Sequence, residues 1–396
     1  MPLPLEGIRI LELGQIIAGC FGTLPLADLG AEVIKVEPHQ GDAGRMPSVG
    51  YLRGESALFL TFNRNKQSVA LDLKRPEGRD VFYDLVRRSD VVLDNFRPGV
   101  VKRLQVDYET LSRINPRIIT CSVSGFGDQS PYRDAPSYDL THQAMTGLMS
   151  ITGEPGRPPV RAGVPLADLA GAMFSCKGVL IALLERERTG VGQHVDIAMF
   201  DALSTLLTYI ATLYLSQGEV PPPPGSAHEY MVPWQAFQTK DGYLVVGTRE
   251  EAFWRKLCQA LGRPELAEDP RFATNPKRVR HREELIPILE ALFLQKRADE
   301  WLAILKKAGV PAAPVNTLDK ALDDPHHELR DMIVRFEYPG VGTVRAMGNP
   351  IKLSRHPQIR CDAPPTLGQH TDEVLSRVLG YPPERIEALR RQGITH

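Results

Sequence analysis

Short runs of β-branched and apolar residues recur through the first third of the chain, at 8–13, 33–37, 68–71, 91–93 and 118–121. Each reads as a buried strand. Helical patterns lie between them, notably at 19–29 and 76–87, and Pro76 suits the first turn of the second, where its missing N–H costs nothing. Strand alternating with helix predicts an α/β fold with a parallel, doubly wound sheet. Two longer helical patterns follow at 168–188 and 196–216. No uninterrupted apolar run of about 18 residues is visible, so no membrane-spanning helix is expected. The PPPPG at 221–225 breaks the chain as a linker does. Beyond it, a strand at 242–246 and helices at 250–261, 282–293 and 298–308 predict a small domain over 226–330. Short strands with Pro-Gly turns return around 335–345 and helices close the chain. The tail is therefore expected to rejoin the first domain, giving a large domain from 1–220 and 331–396.

The length of 396 residues agrees with two domains, because a single core rarely grows beyond ~250–300 residues. A formal net charge of -1 provides no overall field for nucleic acid or an anionic membrane, and neither partner is expected. The five cysteines are widely spaced with no CxxC, which suits a reducing compartment better than a disulfide framework. The ten histidines include no HExxH, so no metal is predicted. MPLPLEGIRILEL lacks the basic and apolar regions of a signal peptide. The expected location is cytoplasmic, or the mitochondrial matrix for a eukaryotic protein.

The turn after the first strand, GQIIAGCFG, is not GxGxxG, which removes the main support for a nicotinamide or flavin site. A helix start there can still hold an anion through free N–H groups, or be an ordinary turn. Two segments place cations where ligands bind in open α/β sheets, beyond the carboxyl ends of strands: LDLKRPEG, with Lys74 and Arg75, and DNFRPGVVKRL, with Asn95, Phe96, Arg97, Lys102 and Arg103. In VRAGVPLADLAGAMFSCKGVLIALL, Asp168 stands at the start of a long helix. It is either a plain N-cap or a carboxylate kept ionised by the helix dipole, as a nucleophile requires. Tyr138, in RDAPSYDLTHQAMTG, is a half-buried packing residue or a hydrogen-bond donor to an oxyanion. His142 and His194 read as structural.

Taken in order, LEGIRILELGQIIAG, DLGAEVIKVEP, FNRNKQSVALDLKRPEG, DVVLDNFRPG, PLADLAGAMFSCKGVLIALLERERTGVGQ and the late GQHTDEVL resemble the class III CoA transferases. That group includes formyl-CoA transferase, crotonobetainyl-CoA:carnitine CoA-transferase and α-methylacyl-CoA racemase. The resemblance implies a Rossmann-like large domain built from both termini, a small middle domain, and an interlocked, ring-like homodimer. It implies an enzyme that uses acyl-CoA and a carboxylic acid as substrates, with no permanently bound cofactor. The family's nucleophilic aspartate falls on Asp168, and Tyr138 is taken with it as a candidate catalytic residue. Positions resembling CoA contacts fall on Ala18, Leu71, Lys74, Asn95, Phe96 and Arg103.

Departures from the family pattern narrow the expected reaction. Ile17 and Pro38 stand where formyl-CoA transferase has a glutamine and an arginine, and GSAHEYMVPWQ does not match its glycine-rich loop, which counts against oxalate as acceptor. GSAHEYMVPWQAFQTKDGYLVVG is similar to the succinyl-CoA-dependent dicarboxylate transferases. Tyr138 replaces the histidine of the racemase branch, so deprotonation and reprotonation of an α-carbon lack an evident second group. Backbone N–H groups near Asp168 and the loop from Gly225 are candidates for an oxyanion hole. Arg45, Arg53, Arg64 and Arg161 are the cations considered for a distal carboxylate. CoA transfer, racemisation and CoA binding without turnover all remain open on the sequence.

Overall fold

The computed structural model describes residues 2–46, 50–357 and 359–396. The described chain divides into two compact units, one of 1–148, 162–212 and 326–396, the other of 149–161 and 213–325.

In the first unit six strands, β1 (Arg9–Glu12), β2 (Glu32–Glu37), β3 (Lys66–Ala70), β4 (Val91–Asp94), β5 (Ile119–Ser124) and β6 (His194–Ala198), form one sheet in the order β3-β2-β1-β4-β5-β6. Every pairing is parallel. Alternate residues build a core on each face, as the two-residue period of a strand requires. Leu11, Ile34, Val36, Val69 and Val92 pack with Val81, Phe82 and Leu85 of α2 (Pro76–Val86), and with Val374, Leu375 and Ile386 from two late helices, Thr371–Leu379 and Pro383–Arg391. On the opposite face Ile10, Val33, Val91, Leu93 and Ile119 meet Leu26 and Ala27 of α1 (Leu24–Asp28) and Val179, Ala182 and Leu183 of α5 (Leu166–Thr189). Three shorter helices complete what is needed below: α3 (Val100–Leu104), α4 (Asp139–Met145) and α6 (Met199–Thr205).

Three sequence expectations need correction. The helix expected over 19–29 is confined to α1, because Gly14–Phe21 closes instead as tight turns, with the Cys20 and Phe21 N–H groups both bonded to Ile17 O. The helix expected over 196–216 begins as β6, whose β-branched HVDIA registers with β5 from Thr120 to Ser124. Its helical part breaks at Thr208, which has a φ of 52°. Finally, α5 is long and apolar enough to cross a membrane by length and composition, although no unbroken apolar run marks it. Half of that window is buried inside the fold, which reads as a core helix.

The second unit pairs strands Trp234–Gln238, Tyr243–Gly247 and Ala312–Pro314 antiparallel, and covers them with helices Glu251–Ala260, Arg282–Phe293 and Ala298–Ala308. Phe237 stacks on Phe293 at 4.7 Å, and Trp301 meets Phe293 edge-on at 5.4 Å. The Arg278 guanidinium, fully buried, is held by Glu251, Val232 O and Phe272 O.

Candidate active site

The strand order reverses between β1 and β4, and there the two strand ends are clamped together. Asn95 Oδ1 accepts the Gln15 N–H at 2.9 Å while its Nδ2 donates to Gln15 O at 3.0 Å. Open α/β sheets bind ligands at such a reversal, beyond the carboxyl ends. Phe96 is fixed next to the clamp. Its N–H donates to Asp94 Oδ1 at 3.0 Å, and Ser122 Oγ holds the other Asp94 oxygen at 2.7 Å. Burial pushes the Asp94 carboxyl up to about 6.

The loop 14–20 is pinched shut. A Cβ on Gly19 would lie 2.5 Å from Gly14 Cα and 2.7 Å from Asn95 Oδ1, so only glycine fits there. Ile16 takes a φ of 63°, a conformation that a β-branched residue avoids. Its N–H is held by Asp42 Oδ1 at 3.1 Å, and Asp42 belongs to a buried charge cluster under the loop. Lys35 Nζ contacts Asp42 Oδ2 at 2.7 Å, Glu12 Oε1 at 3.0 Å and Gly14 O at 2.7 Å. Lys66 Nζ contacts Glu12 Oε2 at 2.8 Å and Cys20 O at 2.9 Å. Two carboxylates face two ammonium groups, so the cluster is balanced, which a buried charge requires.

Two clefts open around this clamp and share Gln15, Phe96 and Val100 as walls. One, of about 400 Å³, is lined by Ala18, Asn95, Phe96, Tyr138, Asp139 and Asp168, together with Arg97 and Arg133. The other, of about 530 Å³, is lined by Leu71, Lys74, Phe96 and Arg103. Ala18, Leu71, Lys74, Asn95, Phe96, Arg103, Tyr138 and Asp168 therefore each line one or other of two adjoining clefts, whereas Arg75 and Lys102 line neither. Among the described residues the Lys74 and Arg103 side chains are exposed and hold no carboxylate, as suits cations that meet phosphates. The Asn95 amide bonds Gln15 through both of its polar atoms and so shapes the wall of the clefts.

Asp168 is the third residue of α5, whose N-cap is Pro165, so the capping alternative does not apply. No hydrogen bond or ion pair holds its carboxylate among the described residues. Its pKa is raised to about 6, first by burial and then by the neighbouring Asp139 charge, where the sequence had suggested a carboxylate kept ionised by the helix dipole. Asp139 anchors that helix start: its Oδ1 accepts the Ala167 N–H at 2.8 Å and its Oδ2 accepts from Gln143 Nε2 at 2.7 Å. Tyr138 precedes α4 and is 72% exposed rather than half-buried, and its backbone is tied to Thr141. His142 is 0% exposed, with neither ring nitrogen bonded to any described residue, and Phe126 lies edge-on at 4.9 Å. Burial lowers its pKa. His194 is held between Thr120 at 2.8 Å and Asp128 at 3.4 Å.

The cations considered for a distal carboxylate are employed elsewhere. Arg45 forks onto Glu37, Arg64 onto the buried Asp28, and Arg53 donates to Val341 O. Arg161 lies in the second unit. The Gly225 N–H is already donated to Gly153 O at 2.8 Å, which removes it as an oxyanion donor. Sequence reasoning missed Asp94, Asp139, Arg133 and the Glu12–Lys35–Lys66–Asp42 cluster. The acidic residue after Tyr138 in SYD was the only visible sign of Asp139.

The chain matches the family described as CoA-transferase family III over residues 5–371. It is 38% identical over 392 residues to the succinyl-CoA:glutarate CoA-transferase of Mus musculus, covering 99% of this chain and 90% of that one. It is 39% identical over 366 residues to the acetyl-CoA:oxalate CoA-transferase of Acetobacter aceti, covering 91% and 92%. The crystal structure of a CAIB/BAIF family protein from Brucella suis superposes with a TM-score of 0.85 at 38% identity, covering 96% of this chain and all of that one.

Proposed function

The chain belongs to CoA-transferase family III, and from that footing we propose that it moves CoA from succinyl-CoA or a similar donor to a dicarboxylic acid, with Asp168 as the nucleophile. An Asp168 oxygen attacks the donor thioester carbonyl, giving a mixed anhydride and expelling the CoA thiolate. The thiolate attacks the aspartyl carbonyl, forming an aspartyl-CoA thioester and releasing the donor acid. The acceptor carboxylate displaces the thiolate from that thioester, forming a second anhydride. The thiolate then attacks the acceptor's acyl carbon, releasing acceptor-CoA and the free Asp168 carboxylate. Activated acyl groups of similar energy are exchanged throughout, so no nucleotide hydrolysis is required.

The observation that carries this reading is the placement of Asp168, unpaired, in a cleft that adjoins another bearing Lys74 and Arg103. A carboxylate with no internal partner is free to attack, and its raised pKa makes it a stronger nucleophile when ionised. Both relatives described above are named for a dicarboxylate acceptor, glutarate or oxalate, which supports that acid class here. The sequence of the stretch 225–234 is similar to that of the succinyl-CoA-dependent dicarboxylate transferases, which supports a C4–C5 acid over oxalate. Racemisation would need a second acid/base group, and His142 is fully buried and is not among the residues that line the cleft. We propose further that the enzyme works as an interlocked homodimer.

The test is chemical. Incubation with succinyl-CoA followed by hydroxylamine leaves a hydroxamate on Asp168, read by peptide mass spectrometry. Neither racemisation nor binding without turnover produces it. Absence of the modification, with transfer intact, sinks the nucleophile assignment.

A further inference from the structure

The Asp168 cleft is joined on its other side by a cavity of about 330 Å³, and the two share Phe96, Arg97, Pro98, Ser124 and Arg133. Arg133 is the half-buried cation in that common wall. Its Nε is buried and without a partner, and among the described residues its guanidinium forms no hydrogen bond or ion pair. Burying a guanidinium donor unpaired is unfavourable, and a buried polar atom left unsatisfied points to a ligand. Arg45 and Arg64, by contrast, are saturated by Glu37 and Asp28. Arg133 and Asp168 thus line the same cleft without pairing with each other, an arrangement that suits an acid with two charged ends.

We propose that Arg133 binds the distal carboxylate of the dicarboxylic acid, in both donor and acceptor, and so sets acid specificity. This rests on the transfer reading above. A planar guanidinium meets a carboxylate with two parallel N–H···O bonds, which fixes orientation as well as adding affinity. A monocarboxylate of equal length has nothing to place there. The exposed Ile16 side chain lines the same cleft and offers apolar surface for the methylene chain.

Binding tests this without turnover. In an Asp168→Asn background, which cannot form the anhydride, the dissociation constants of succinyl-CoA and butyryl-CoA are measured with and without Arg133→Gln. Succinyl-CoA is expected to weaken 10–100-fold and butyryl-CoA to stay within about twofold. Equal weakening of both would mean that Arg133 serves the CoA moiety, and no change in either would mean that it serves neither; both overturn the proposal. Should Arg133→Gln not fold, Arg133→Lys replaces it: the charge stays, the fork is lost, and succinyl-CoA should weaken at least threefold relative to butyryl-CoA. An equal response to the two ligands again overturns the assignment. The transfer reading is judged separately by hydroxamate on Asp168 in the unaltered enzyme.

Discussion

Asp139 holds the N–H of Ala167 at 2.8 Å, so the helix start that carries Asp168 is anchored by a second carboxylate. Burial raises the Asp168 pKa, and the charge of the same Asp139 raises it further.

That coupling predicts a pH profile. Attack requires the ionised carboxylate, so kcat/KM should fall as pH drops through about 6. Asp139→Asn keeps an acceptor for Ala167 and removes the like charge, so the acidic limb should move to lower pH while burial retains part of the shift. An unmoved limb in the pH–rate profile would remove Asp139 from this role.

Stability should respond with the opposite sense to activity. The folded state raises Asp168 from 3.8 to about 6, so it favours the protonated form. The stabilisation from this group is complete below about pH 4 and is lost as pH rises to about 6. Asp168→Asn should therefore be inactive yet about 1–3 kcal/mol more stable than the parent at pH 8. That advantage should vanish below pH 4. Denaturant titrations at the two pH values measure the difference.

Lys74→Ala and Arg103→Ala should each raise KM for every acyl-CoA by roughly 10–100-fold, the size of one or two charge-assisted hydrogen bonds. Acceptor preference should hardly change. Steady-state kinetics with succinyl-, butyryl- and acetyl-CoA check this, and a loss restricted to one acyl group contradicts it.

The buried cluster under the loop makes two opposed predictions. Lys35→Met leaves Asp42 and part of Glu12 uncompensated and should destabilise the protein by about 3–5 kcal/mol. Ile16→Gly relieves the positive φ while removing a side chain that is 43% exposed. It should stabilise by about 0.5–1 kcal/mol, the left-handed penalty less the entropy of glycine. Thermal unfolding of both variants reads the signs directly.

Much of the scaffold was legible because it rests on local patterning. The β-branched runs became β1 to β5 within a few residues, and helix 298–308 begins and ends as expected. The misreadings fell where long-range pairing overrode local propensity. At β6 the partner strand decided that HVDIA is extended, and at 19–23 the close approach of Gly14, Gly19 and Asn95 replaced a helix by turns.

The same division holds at the site. The sequence by itself determined which groups were available: a carboxylate before an apolar helix at Asp168, cations at Lys74 and Arg103 just past strands, and an overall order of motifs that placed the chain in its family. Tertiary structure alone decided what each group is free to do. Arg45 and Arg64 match any other cation as candidates on sequence, yet Glu37 and Asp28 hold them, while Arg133, unmarked by any local pattern, has a buried Nε with no partner among the described residues. The Asp72 N–H is bonded to Ile394 O, so the far end of the chain shapes the loop that carries Lys74. Charge, burial and hydrogen-bond saturation depend on neighbours tens or hundreds of residues away, and no local pattern records them.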